Sequence, residues 1–101
     1  MAGPALNIAL KVDEKDNVST IFSNNSTAGS EVTVRDKKGH TQVITLLSSV
    51  PYGHKIAIRD IKKGEHIIKY GESIGAATVD IPCGEYVHVH NMEALRGRGD
   101  L

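Results

Sequence analysis

Tryptophan is absent from this chain and aromatic residues make up only 4% of it, so Val, Ile, Leu and Ala must build the core. A single cysteine, Cys83, excludes an internal disulfide framework and fits a reducing cytoplasm. An excess of either charge is also missing, because twelve Lys and Arg offset twelve Asp and Glu. That balance removes the electrostatic reason to expect nucleic acid or an anionic membrane as partner. No run approaches the roughly 20 apolar residues of a membrane helix. The N-terminus has no basic segment leading into a long apolar stretch, so no signal peptide is read. With 101 residues the chain amounts to one domain with a modest core.

Helical periodicity is lacking too; almost every pattern has period two. Short strands are expected at 8–12 and 18–22 around a polar turn, followed by a loop at 23–30. Residues 31–35 alternate Val32 and Val34 against polar neighbours and form a hairpin with 42–47 across the turn 36–40. Further strands are expected at 54–58, 65–70, 76–81 and 86–90, with the polar segment from 92 onward as a tail. Many short strands with regular turn signals predict an all-β fold of barrel or clip type.

What is present in abundance is a repeat. Residues 60–71 read DIKKGEHIIKYG, and twenty residues later 80–91 read DIPCGEYVHVHN. Asp, Ile, Gly and Glu recur in place, each time ahead of an alternating run. The first copy ends in Lys69-Tyr70-Gly71 and the second in His88-Val89-His90-Asn91. One scaffold element used twice suggests a polar site at matching strand ends.

Several polar groups carry chemical potential. On a strand, His88 and His90 would share a face while Val87 and Val89 pack inward. Two neutral imidazoles so placed are a common beginning of a divalent metal site, short of a full ligand set. The alternative is a solvated polar face. His54-Lys55 follows Gly53 and suits carboxylate binding or proton movement, against the reading of a solvated strand start. Lys69 would hold an acidic group, or simply blunt an edge strand. Asp13, Glu14 and Asp16 lack the spacing of a calcium loop and read as a solvated turn. Cys83 has no neighbouring base, so a nucleophile is not expected. Arg98-Gly99-Asp100 is taken as chance.

At this point the residues resemble a known family. Gly53-His54-Lys55, the Asp60 to Gly64 element, Lys69-Tyr70-Gly71, Ile74-Gly75 and the run from Gly84 to Asn91 resemble, in order, the SAF domain of the altronate/galactarate dehydratases. Asp16-Asn17-Val18 matches a short element near the family's start. Singly these motifs are unspecific; as an ordered set they are specific. The His-x-His-Asn ending points toward the altronate or sulfolactate branch.

The resemblance implies a β-clip fold over residues 1–92, with 93–101 as a tail or linker. It implies a separate small subunit, or an N-terminal domain, of a metal-dependent hydro-lyase that eliminates water from a sugar acid to give a 2-keto-3-deoxy acid. His54 and Lys55 are then the expected catalytic residues, Lys69, Tyr70 and Asn91 the expected substrate contacts, and His88 and His90 the expected metal ligands. The metal, iron or manganese by family analogy, would be bound mainly by a large dehydratase subunit. The small subunit of a sulfolactate sulfo-lyase fits the same pattern. A rival of another class is a non-catalytic module similar to antifreeze-like SAF domains.

Overall fold

The structure is a computed structural model that describes residues 7–24 and 26–94. Nine strands occur among them: β1 (Asn7–Leu10), β2 (Val18–Ile21), β3 (Glu31–Arg35), β4 (Thr41–Thr45), β5 (Lys55–Ala57), β6 (His66–Lys69), β7 (Glu72–Ala77), β8 (Tyr86–Val87) and β9 (Met92–Ala94). They form a six-stranded sheet in the order β4-β3-β1-β2-β5-β8 and a three-stranded sheet in the order β6-β7-β9. The all-β expectation is met, and the curled sheets suit a SAF-like β-clip.

Two apolar clusters follow from strand alternation. One face of the large sheet buries Ala9, Ile21, Val32, Val34, Ile44, Leu46 and Ile56 together. The other face, near β2, β5 and β8, buries Val18, Ala57 and Val87 under Ile67 and Ala77 of the small sheet. Each fully buried Ile or Val contributes about 1.5–3 kcal/mol relative to exposure, which compensates for the shortage of aromatics.

The repeat explains how the two sheets are joined. Its copies bind each other reciprocally. Ile61 and Ile81 exchange both backbone hydrogen bonds, at 2.8 and 2.7 Å. The Asp60 carboxylate accepts from the Cys83 N–H at 2.9 Å, and Asp80 accepts from the Lys63 N–H at 2.9 Å. Gly64 donates to Ala77 and Gly84 donates to Ala57, each at 2.8 Å. Both glycines have positive φ, 89° and 92°, a region closed to most side chains. A local two-fold relation therefore pairs β5 with β8 as it pairs β7 with β6.

A buried polar hub holds the small sheet against the β1–β2 turn. Asn17 is 1% exposed. Its Nδ2 donates to the His66 carbonyl at 2.9 Å, and its Oδ1 accepts from Ile68 at 2.7 Å. Asp16, 4% exposed, accepts from the N–H groups of Val12, Asp13 and Gly71. Asp16 is thus not the solvated turn residue expected; three backbone donors replace its water. Glu14 does remain outside, paired with Lys38 at 2.6 Å.

Other boundaries differ from expectation. The connection between β6 and β7 is the two-residue turn Tyr70-Gly71, and Ser73 to Gly75 lie inside β7 rather than in a loop. Gly75 is required there because a Cβ would overlap the Glu93 carbonyl of β9. Residues 78–81 leave the sheet for the Ile61 bridge. Met92–Ala94, expected as the start of a tail, forms β9 on β7, so a domain boundary at 92 would cut through a strand. The rest of that tail, with Arg98-Gly99-Asp100, lies outside the described residues.

The hub yields a test. Asn17→Ala leaves the His66 carbonyl and Ile68 N–H buried and unpaired, so we expect a loss of about 2–3 kcal/mol in urea unfolding. A loss below about 0.5 kcal/mol, the range of ordinary surface substitutions, would show that the hub does not hold the sheets together.

Candidate functional site

The reciprocal pairing sets β8 beside β5, and this gathers the imidazoles. His54 immediately precedes β5, placed by a turn in which its N–H reaches the Pro51 carbonyl at 3.1 Å. In the β5–β8 register, Ile56 faces Tyr86. The Tyr86 hydroxyl meets His54 Nδ1 at 2.7 Å. The His88 ring lies 4.9 Å from His54 by centroids and stacks on Tyr86 at 5.6 Å and 10°. The His90 ring lies 5.3 Å from Tyr86. The expectation that His54 and the His88/His90 pair share one side of the domain agrees with these distances.

They do not meet in the way the alternation implied. Strand β8 ends at Val87, and residues 88–91 form a turn. Val89 is 77% exposed rather than packed inward, so Val87 alone carries the local packing. His88 and His90 approach through the turn, not along one strand face.

Asn91 builds that turn. It is 4% exposed. Its Oδ1 accepts from the His88 N–H at 3.0 Å and its Nδ2 donates to the Tyr86 carbonyl at 2.8 Å. Both ends of the amide are engaged with backbone, which places Asn91 as a positioning residue for His88 rather than the substrate contact expected from the sequence.

Lys55 points to the opposite sheet face from His54, as neighbours on a strand must. It pairs in register with Thr20 and Val87. Because β8 is a short edge strand, the two faces are joined around its rim. Burial, and then the charge of Lys69, hold the Lys55 ammonium below its usual pKa. Burial also lowers the pKa of His88, helped by the positive charges of His54, Lys55 and His90. Lys55 therefore links the imidazoles to Lys69. Among the causes acting on either group, no carboxylate appears.

Lys69 and Tyr70 close β6. The Lys69 ammonium sits 4.8 Å from the Tyr70 ring centre. Tyr70 has φ 57° and Gly71 φ 75°, the signature of a type I′ hairpin turn. Asn is the usual first residue there, and an aromatic in the left-handed region costs about 1–2 kcal/mol.

Cavities are found elsewhere. Open grooves of about 390 and 580 Å³ lie around Val12 to Asp16, one reaching Lys38 and the other Gln42 and Arg59. Neither is lined by His54, Lys55, His88 or His90. The imidazole cluster instead lies on the open rim of β8. Among the described residues no group of three or more His, Cys, Asp or Glu is arranged to hold a metal ion. His88 and His90 thus have no third ligand arranged beside them among the described residues. Cys83 is half-buried, and burial with the nearby Asp60 charge raises its thiol pKa; a neutral thiol suits the absence of a nucleophilic role.

Comparison with known proteins bears on this rim. The profile of the altronate/galactarate dehydratase SAF domain matches residues 7–95. The chain belongs to this family. It is 42% identical over 82 residues, 81% of its length, to the altronate dehydratase of Escherichia coli K12. It is 37% identical over 86 residues to the (2R)-sulfolactate sulfo-lyase subunit alpha of Chromohalobacter salexigens, covering 83% of this chain. The galactarate dehydratase (L-threo-forming) of E. coli K12 is 37% identical over 78 residues, 77% of this chain. The matched region spans only 15% of the altronate dehydratase and 14% of the galactarate dehydratase, but 90% of the sulfo-lyase subunit.

Within this SAF domain, sequence reading missed Tyr86. Its signal was the repeat, which aligns Tyr86 with His66 at one strand position. His66 also spends Nδ1 on a neighbour, the Ser73 hydroxyl at 2.6 Å.

The Tyr70 turn provides a test. Tyr70→Asn relieves the left-handed strain, and we expect a gain of about 0.5–1 kcal/mol in unfolding free energy. If stability falls instead, the Tyr70 ring is held by packing that outweighs the strain.

Proposed function

We propose that this chain is the small SAF component of a lyase acting on an anionic hydroxy acid, an altronate dehydratase-like hydro-lyase, and that it works with a large catalytic region. The observation that carries this reading is the rim of β8. There His54, His88 and His90 gather on Tyr86, Lys55 and Lys69 stand behind them, and no carboxylate perturbs the two shifted groups. Such a cationic rim suits the carboxylate of a sugar acid. Elimination requires removal of the proton beside that carboxylate, which is feebly acidic in water, so positive charge that steadies the developing dianion lowers the barrier.

Each residue takes a role by position. Tyr86 occupies Nδ1 of His54, leaving Nε2 as the ring atom able to donate to the ligand or move a proton. Lys55 and Lys69 pair with the carboxylate. Asn91 holds His88 in place. The divalent metal expected from the family would take its ligands mainly from the large region, since the described residues offer no complete set, and no step here is assigned to it. The single cysteine suits a cytoplasmic setting.

The sulfo-lyase provides a second reading. The chain matches 90% of that subunit's length, so a small separate subunit losing sulfite rather than water fits equally well in size. The same rim would hold the sulfonate and carboxylate.

The open rim leads us to expect no turnover of altronate by the 101-residue chain alone; measurable turnover would sink the two-component reading. In the enzyme assembled with its large region, a His88→Ala/His90→Ala double variant should abolish activity while the melting temperature of the small chain stays unchanged. Full activity from the folded double variant would favour a non-catalytic module.

Electrostatics give a pH signature. Burial, and then positive neighbours, depress the His88 pKa in the free protein, and a bound carboxylate offsets the positive neighbours. The pKa of His88 should therefore rise when substrate binds. By linkage, binding takes up protons, so affinity should fall as pH increases through that interval. NMR titration of the His88 ring with and without the hydroxy acid reads this directly; a pKa that falls on binding contradicts the anion-site assignment.

A further inference from the structure

We infer that the part of the six-stranded sheet's face left uncovered by the small sheet, across β4, β3, β1 and the end of β2, is a docking surface for a second copy of this chain. The face is set by register. Val43 of β4 lies opposite Thr33 of β3, and Thr33 lies opposite Ile8 of β1. Phe22 follows β2 with its N–H on the Ile8 carbonyl at 2.8 Å, and its ring meets Tyr52 edge-on at 6.0 Å. Val43, Ile8, Phe22 and Tyr52 are all exposed. They make one apolar row across the strands, on the face turned away from the first core cluster. Scattered exposed apolar residues are ordinary, but an aligned row on a sheet face marks a contact surface.

Charge identifies the occupant. Glu31 and Arg35 flank Thr33 on the same face of β3, both exposed, about 13 Å apart along the strand. Neither forms a salt bridge among the described residues. In a copy packed face to face about a two-fold axis along the apolar row, strands run antiparallel across the interface. Each Glu31 then stands over Arg35 of the other copy, and the reverse. Val43, Thr33, Ile8 and Phe22 each meet their own counterparts. Such isologous complementarity is what a two-fold contact needs. A two-fold axis along the strands would instead set Glu31 on Glu31, which repulsion disfavours. The chain's zero formal charge adds no long-range repulsion between copies.

The inference does not rest on the lyase reading. Four short strands give an interface at the small end of the stable range, so a weak, concentration-dependent dimer is expected.

Sedimentation of the full chain at increasing concentration tests this. We expect the weight-average mass to rise to about one and a half times the monomer mass by about 1 mM, the dissociation-constant range of weak association. Arg35→Glu and Glu31→Arg should each weaken the dimer at least about tenfold. The double exchange Glu31→Arg/Arg35→Glu should restore it, because the swap preserves complementarity. Equimolar mixing of the two single variants should also yield dimers, and circular dichroism confirms that each variant is folded. A monomer throughout the range overturns the proposal. So does a dimer indifferent to Arg35→Glu, or a double exchange that fails to restore association.

Discussion

The reciprocal clasp between Asp60-Ile61 and Asp80-Ile81 is the constraint on which the rest of the molecule depends. It joins two segments twenty residues apart by paired backbone hydrogen bonds and two carboxylate-to-backbone bonds. Both isoleucines are buried, so water does not compete for these bonds. From this junction β5 leaves toward the large sheet and β7 toward the small one. The same junction returns Gly84 to Ala57 and lays β8 on β5. Without it, His54 and Tyr86 would sit on unrelated ends of the chain.

A second constraint is polar. A domain with little aromatic mass needs its sheets held in one arrangement, and buried hydrogen bonds specify arrangement better than apolar contact does. Asp16 and Asn17 bind five backbone groups, three of them about fifty residues away. Leaving such groups unpaired in the interior costs more than their pairing gains. This explains why an Asp and an Asn occupy a buried position between two sheets.

The site gathers lysine and imidazole groups at an edge. Burial and then the charge of Lys69 lower the pKa of Lys55, and burial with the charges of His54, Lys55 and His90 lowers that of His88. His90 on this rim is exposed, whereas His54, Tyr86 and His88 are half-buried. The matched region makes up 15% of the altronate dehydratase and 90% of the sulfo-lyase subunit.

Sequence alone determined the fold class, the repeat and the residue types of the site. Period-two alternation and frequent turns leave little freedom but short strands, and His54, Lys55, His88 and His90 stand out by spacing. The SAF assignment was legible too, because ordered motifs survive where single residues do not. Only tertiary structure decided what those residues do. Alternation continued Tyr86 through His90 as a strand, whereas Asn91 captures the His88 N–H and turns the chain. It also treated Asp16 as solvated, since burial by a hairpin more than fifty residues away leaves no local trace. Tyr86 became a site residue because the clasp brings it to His54. Local pattern reports the period and polarity of a segment. Which segments meet depends on hydrogen bonds between distant residues, and in this domain those bonds set both the site and its orientation.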